Sequence, residues 1–266
     1  MALVGGVILA GIVLVALFAP FIGAYDPNKI DSSNLLQPPN ASHPFGTDNF
    51  GRDVLTRTLY GGRLSLQTGV VSVAIAMTAG LLLGLIAGFR GAVLDSLLMR
   101  LMDIMLAFPG ILLALAVVAV LGPSLINLMI AVGISHIPSY TRVVRASVLA
   151  VRNNVYIESA RAAGCREWRI IVAHVLPNAL TSITVVAALG VGTAILTAAS
   201  LSFLGLGVQP PTAEWGIMIS DGREYLRDNW WVSTFPGVFI MVTVLAINLV
   251  GDGLQEALDP RRRIRR

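Results

Sequence analysis

The sequence predicts an all-α membrane protein of six transmembrane helices with both termini in the cytoplasm. Three observations carry that expectation. Of its 266 residues, 55% are hydrophobic and only 13% charged, with a mean hydropathy of +0.77, whereas soluble domains carry about 25% charged residues. Several uncharged stretches reach the roughly 20 apolar residues needed to cross about 30 Å of hydrocarbon. Basic residues also alternate in density between successive connecting segments, the pattern that orients a membrane chain.

The first stretch, Ala2 to Ile22, has no charge and exceeds the about 7–15 apolar residues of a signal-peptide core. It reads as a retained span, forming a first unit over 1–24. The second span is Leu64 to Phe89. From Ile104 to Ser135 the chain stays uncharged, too long for one ordinary span. "LGPS" at Leu121 to Ser124 divides it, because proline removes a donor and clashes with the preceding turn. One span therefore ends at Leu121 and the next runs from Leu125 to about Tyr140. The fifth lies within Val175 to Ala213, its helix opening after Pro177 and closing near Leu204, before the Gly-rich "LGLGVQPP". Trp230 to Gly251 is the sixth. Spans two to six form a core domain over 64–251.

Arginine and lysine set the orientation. Segments Arg90–Asp103, Arg142–His174 and Asp252–Arg266 hold thirteen of the nineteen basic residues, and the alternate segments hold six. Cytoplasmic loops carry the basic excess, so the loop 142–174 and the basic tail 252–266, with its final "RRRIRR", face the cytoplasm. The extracytoplasmic segment 25–63 is polar, rich in turn formers and too long for a tight connection. It is expected to fold over the outer face. Trp230 and Trp231 stand at the outer end of the last span, where amphipathic rings anchor in the headgroup layer.

Composition also excludes classes of function. The net charge of +4 sits largely beside apolar spans, where it sets topology, so no nucleic-acid partner is expected. Cys165 is the single cysteine, which rules out an internal disulfide or a cysteine metal cluster. A P-loop needs a lysine before Ser or Thr, and the only lysine is Lys29, in "PNKID". His43, His136 and His174 do not cluster as zinc ligands would. No charged residue falls inside a predicted span, where gradient-driven transporters bury theirs. His136 reads as interfacial. Neither catalytic residues nor a metal are expected in this chain.

The stretch "YIESARAAGCREWRIIVAHVLPN" (Tyr156–Asn178) is unusual for a membrane chain, carrying charge on a small-residue segment. Asn153 and Asn154 suit an N-cap, and Glu158 complements the helix dipole in the early turns. Ala160, Ala163 and Gly164 share a face at helical spacing. Gly164 can end the helix in the left-handed conformation, and Pro177 can open the next one. On charge pattern alone a solvated connecting loop also fits. Gly80, Gly84 and Gly88 give the second span a small-residue face for close helix packing. For Asp48, Arg52 and Asp53 two readings stand, a local turn held by charge-assisted hydrogen bonds and a surface that meets a partner.

The same stretch resembles the EAA loop of ATP-binding-cassette importer permeases. Glu158-Ser159-Ala160 stand for E-A-A, Gly164 follows three residues on, and His174-Val175-Leu176-Pro177 close the motif. Ser159 departs from Ala, and His174 from the general Ile, although H-[IV]-L-P-N is similar to the peptide and nickel branch. "HPFGTDNFGRDVLTRTLYGGRLSL" (His43–Leu66), "LSFLGLGVQPPTAEWG" (Leu201–Gly216) and "GDGLQEALDPR" (Gly251–Arg261) resemble C-type subunits of dipeptide and oligopeptide permeases. The amino terminus is shorter than in members with a longer cytoplasmic tail.

This resemblance implies a type I ABC importer permease in the bacterial cytoplasmic membrane, surrounded by lipid and without catalysis of its own. It implies as partners a second, B-type permease subunit, an extracytoplasmic peptide-binding protein, and two ABC ATPase domains or subunits that bind ATP and Mg. Glu158, Ser159, Ala160, Arg161, Ala162, Ala163 and Gly164 are the implied ATPase-coupling residues. Asp48, Arg52, Asp53 and Trp215 fall in segments implied to gate the pathway or meet the binding protein. Dipeptides or short oligopeptides are the implied cargo, and relatives also handle nickel chelates, glutathione and haem. Asp252 and Asp259 read as helix-end or partner-surface residues. A self-sufficient ion-coupled secondary transporter and a membrane scaffold without a pathway are the competing readings.

Overall fold

A computed structural model describes residues 1–258 of the chain; Asp259 and the "RRRIRR" tail lie outside the described residues. Within them the regular structure is helical, apart from one isolated bridge between Thr47 and Asp53. The first stretch forms α1 (Ala2–Leu17) and, after a break at Phe18, α2 (Ala19–Ile22) with a proline in its first turn.

Helix α3 (Val54–Arg90) starts earlier than the predicted Leu64. Asp53 accepts a hydrogen bond from the Thr56 N–H at 2.7 Å, satisfying one of the donors a helix start leaves open. The next span also begins earlier and is broken. Helix α4 (Ala92–Leu106) meets α5 (Gly110–Leu121) at 91°. The break falls at Pro109, which forces Phe108 away from helical geometry. Helix α6 (Leu125–Arg152) runs well past the expected Tyr140. Its basic inner half is answered from α4, where Asp103 accepts from Arg142 at 2.5 Å and Asp95 accepts from Arg145 at 2.5 and 2.7 Å.

The short α7 (Val155–Ala162) and α8 (Glu167–Ile170) follow. Then comes one π-turn, Ile171–Val175, and α9 (Leu176–Phe203), so the fifth helical segment is continuous from Glu167 instead of opening after Pro177. The wide turn accommodates the ring and missing donor of Pro177, which a regular α-turn would not. Helix α10 (Trp215–Gly222) lies outside the bundle proper, and α11 (Trp231–Leu258) closes it. Three helical stretches, Val54–Phe89, Glu167–Phe203 and Trp231–Leu258, are individually long and apolar enough to cross a membrane, and the bent α4–α5 pair is a fourth. With the apolar α1 and the long α6, six segments build the bundle.

Helices α3, α6 and α9 pack together at the centre, with α11 against α9, and α1 against α11 and α3. The glycine face of α3 makes its closest approach within the chain. A Cβ on Gly80, Gly84 or Gly88 would lie 2.5–2.6 Å from Tyr140 Cβ, Val144 Cβ and Val148 Cγ1 of α6, which runs parallel to α3. Helix α1 is antiparallel to α11, because Gly5 faces Leu249 and Gly253 faces Ala2. Met1 and Leu258 therefore share one end of the bundle, the end that also carries the connection between α6 and α9. The residues before α3, together with α10, cap the other end. Positive-inside orientation puts the shared end in the cytoplasm.

Candidate coupling surface and outer cap

At the cytoplasmic end, α7 is bounded as its sequence suggests. Asn154 is the N-cap residue, without a side-chain bond to the helix, while Asn153 terminates α6. At the other end Gly164 adopts φ +80°. Its N–H donates to Arg161 O at 2.9 Å and the Cys165 N–H donates to Ala160 O at 3.0 Å. Together these bonds form a Schellman cap, which satisfies the last carbonyls of the helix. A Cβ on Gly164 would meet nothing within 4 Å, so glycine serves the backbone angle here and leaves the surface open.

The face of α7 divides differently from the expectation. Ile157 is fully buried and Ala160 turns inward beside it, so Ala160 packs on the core instead of joining Ala163 and Gly164 at the surface. Glu158, Ser159, Arg161, Ala162, Ala163 and Gly164 are exposed. Ser159 Oγ donates back to Val155 O at 2.9 Å, and Arg161 reaches Glu167 at 3.4 Å. Large apolar side chains border this patch, with Val155 76% and Trp168 62% exposed. Beneath it, Ile157 and Ile170 belong to the same apolar cluster as Tyr140, Val175, Ile183 and Leu201. The cluster extends from this hairpin to the outer third of α9.

At the outer end, the four residues expected at a gate or partner surface are all buried. Asp48, Arg52 and Asp53 are each 4% exposed and Trp215 is 1% exposed. Asp48 accepts from the N–H groups of Phe50 and Arg52 and, at 2.7 Å, from Arg52 Nε. Asp53 caps α3 and meets His43 Nδ1 at 2.9 Å. Trp215 Nε1 donates to Thr58 O at 2.8 Å. The geometry is that of the local turn held by charge-assisted hydrogen bonds. These side chains build the cap and do not present themselves on it.

Two further residues of this region carry more of the architecture than the sequence suggested. Arg57, 2% exposed, donates to Pro27 O at 2.7 Å and to Pro211 O at 3.1 Å, and lies 3.5 Å from Asp48. It ties the cap, the loop after α9 and α3 together. Asp221 of α10 stands 3.8 Å from Arg52, so two acids and two arginines meet under the cap. Burial raises the Asp221 carboxyl and the two arginines oppose that rise. Glu214 is 3% exposed and accepts from the N–H groups of Gly216 (2.9 Å) and Ile217 (3.1 Å) and from Ser65 Oγ (3.0 Å). Loss of hydration pushes its carboxyl above the ordinary value, an effect only partly offset by those donors. A sequence signal for Arg57 existed, an arginine continuing into an apolar helix. For Glu214 the N-cap position before an apolar run was the cue.

Comparison with known proteins fits this architecture. Residues 80–264 match the family model described as the binding-protein-dependent transport system inner membrane component. The chain belongs to this family. Residues 1–39 of the permease also match the N-terminal transmembrane domain of oligopeptide transport permease C. It is 51% identical to the dipeptide transport system permease protein DppC of Alkalihalophilus pseudofirmus, over 98% of this chain and 86% of that one. To the di/tripeptide transport system permease protein DppC of Pseudomonas aeruginosa it is 49% identical, over 98% and 88%. Among solved structures, an inward-facing MetNI methionine ABC transporter chain matches with a TM-score of 0.63 at 20% identity, over 77% of this chain and 97% of that one. That likeness concerns the fold, which is that of type I ABC importer permeases. The permease is thus a multi-pass inner-membrane subunit of an ATP-driven importer.

Proposed function

We propose that this permease, paired with a second, B-type permease subunit, imports dipeptides or short oligopeptides delivered by an extracytoplasmic binding protein. Force comes from two ATPase subunits that hold ATP and Mg and dock on the exposed side of α7. The observation that carries this reading is the continuity of the apolar cluster from Ile157 and Ile170 up to Leu201. Close-packed helices move as discrete bodies, so displacement of the hairpin passes to α6 and α9 together. Glu158, Ser159, Ala162, Ala163 and Gly164 form the contact surface, and Ala160 anchors it from below. The peptide cargo rests on the similarity to dipeptide permeases.

The test is uptake of labelled dipeptide by the assembled transporter in vesicles. Gly164→Trp is expected to abolish uptake while the protein still inserts, because its side chain enters open space where the partner docks. Gly164→Asn separates bulk from backbone strain, since asparagine tolerates the left-handed angle, and it should retain most uptake. Normal uptake by Gly164→Trp sinks the docking assignment. The isolated permease is expected to show no ATP hydrolysis, and turnover by the chain free of partners would contradict the division of labour.

A further inference from the structure

Helices α1 and α3 meet near the outer end of the bundle, where a Cβ on Gly62 would lie 3.3 Å from Ala16 Cβ. Between them lies a groove of about 630 Å³, walled by Val13 and Leu17 of α1 and Leu66 and Val70 of α3, with Val191 of α9 and Val250 of α11 at its back. The groove opens sideways, since Leu17 and Val70 are each 55% exposed. Arg63 and Gln67 stand at its outer mouth and also line a second, more polar cavity of about 420 Å³ with Asn28, Tyr60 and Thr212. Arg63 is the one charged residue lining either space, and it makes no ion pair or hydrogen bond among the described residues.

Depth decides what such a site can hold. At 1.5 Å per residue, Val70 lies about 28 Å and Arg63 about 39 Å along α3 from Phe89 at its cytoplasmic end. Hydrocarbon is about 30 Å thick, so Val70 falls at its outer boundary and Arg63 in the headgroup layer beyond. Along α1 the groove descends about 12 Å from Leu17 to Leu9, starting at the level of Arg63, since Ala16 lies against Gly62. An apolar slot open to the bilayer, a cation at its interfacial mouth and a polar cavity above match an amphiphile with a negative head.

We propose that this groove binds a phospholipid of the outer leaflet, one acyl chain lying between α1 and α3 and its phosphate held by Arg63. The guanidinium offers planar paired donors suited to phosphate oxygens, and Gln67 offers a further donor. Docked there, the lipid fills the space between α1 and the central helices, and it holds whatever the cargo is.

Native mass spectrometry of the complete transporter, taken from nanodiscs of phosphatidylglycerol into mild detergent, tests this. The wild-type complex is expected to keep a bound phosphatidylglycerol. A charge-assisted hydrogen bond contributes about 1.5–3 kcal/mol, so Arg63→Gln should reduce retention roughly tenfold or more. Ala188→Phe, on the groove wall, should reduce it by a similar factor. Arg63 is exposed, so its replacement leaves the fold intact. Equal retention by wild type and both variants overturns the proposal. So does a photo-crosslinker at Val13 that labels a neighbouring subunit or added dipeptide instead of lipid.

Discussion

Gly84 of α3 and Val144 of α6 approach so closely that a methyl group on the glycine would lie 2.6 Å from Val144 Cβ. No ordinary side chain fits that gap, so the distance between the two central helices depends on hydrogen at this position. Gly80 and Gly88 repeat the relationship one turn to either side, so the close α3–α6 approach extends over three successive turns.

Gly84→Ala should therefore strain the core, and overpacking typically costs about 1–3 kcal/mol. The expected outcome is a lower thermal midpoint of the purified complex. Gly6→Ala is the control, because a Cβ there meets nothing within 4 Å. Equal midpoints for both variants would remove the seam from the account of stability.

Arg57→Ala should loosen the outer cap. It strips donors from the Pro27 and Pro211 carbonyls and leaves Asp48 with one fewer cation. Breaking a buried pair commonly costs about 3–5 kcal/mol. Since Lys29 is the only lysine, a lysine-specific protease has one cut site in the chain, at an exposed side chain of the cap segment. Cleavage after Lys29 should accelerate in Arg57→Ala, and an unchanged rate would mean that the cap is held by other contacts.

Ile157→Ala should uncouple transport from ATP use. The side chain is completely buried beneath α7, and truncating a buried isoleucine costs about 2–5 kcal/mol. With its anchor gone, α7 can move without carrying α6 and α9. Uptake should fall by a larger factor than the ATPase rate of the assembled complex. A parallel fall in both would indicate failed assembly.

Glu214 gives a pH dependence of defined sign. Burial raises its folded-state value above the unfolded 4.5, so the folded chain holds the proton more tightly. The associated stability is present below the unfolded value and is lost as pH rises through the folded one. Glu214→Gln should flatten that fall in thermal midpoint between about pH 4.5 and the folded value. Removing the cap altogether with Glu214→Ala should cost about 0.5–2 kcal/mol. An identical pH slope in wild type and Glu214→Gln would assign the effect to another group.

Much of this was legible along the chain. The glycine spacing in α3, the cap at Gly164 and the charge asymmetry of the loops are local patterns, set by helical period, backbone angle and the membrane's response to arginine. Helix ends were less legible. Absence of charge marked the hydrocarbon crossing, yet α3, α6 and α9 continue beyond it, because Asp53 caps α3, Asp95 and Asp103 pair with α6, and a π-turn admits Pro177.

From its sequence alone this protein was determined to be a six-span permease with a charged, glycine-ended cytoplasmic hairpin, since composition, motif order and basic loops are read residue by residue. Only the tertiary structure decided that Asp48, Arg52, Asp53 and Trp215 are buried, that Ala160 faces inward, and that Arg57 and Glu214 bind the cap. Burial depends on partners far along the chain: Glu214 meets Ser65 across 149 positions, and Arg57 meets Pro211 across 154. A charge shows in a sequence whether exposed or enclosed, and its surroundings exist only once distant helices have packed.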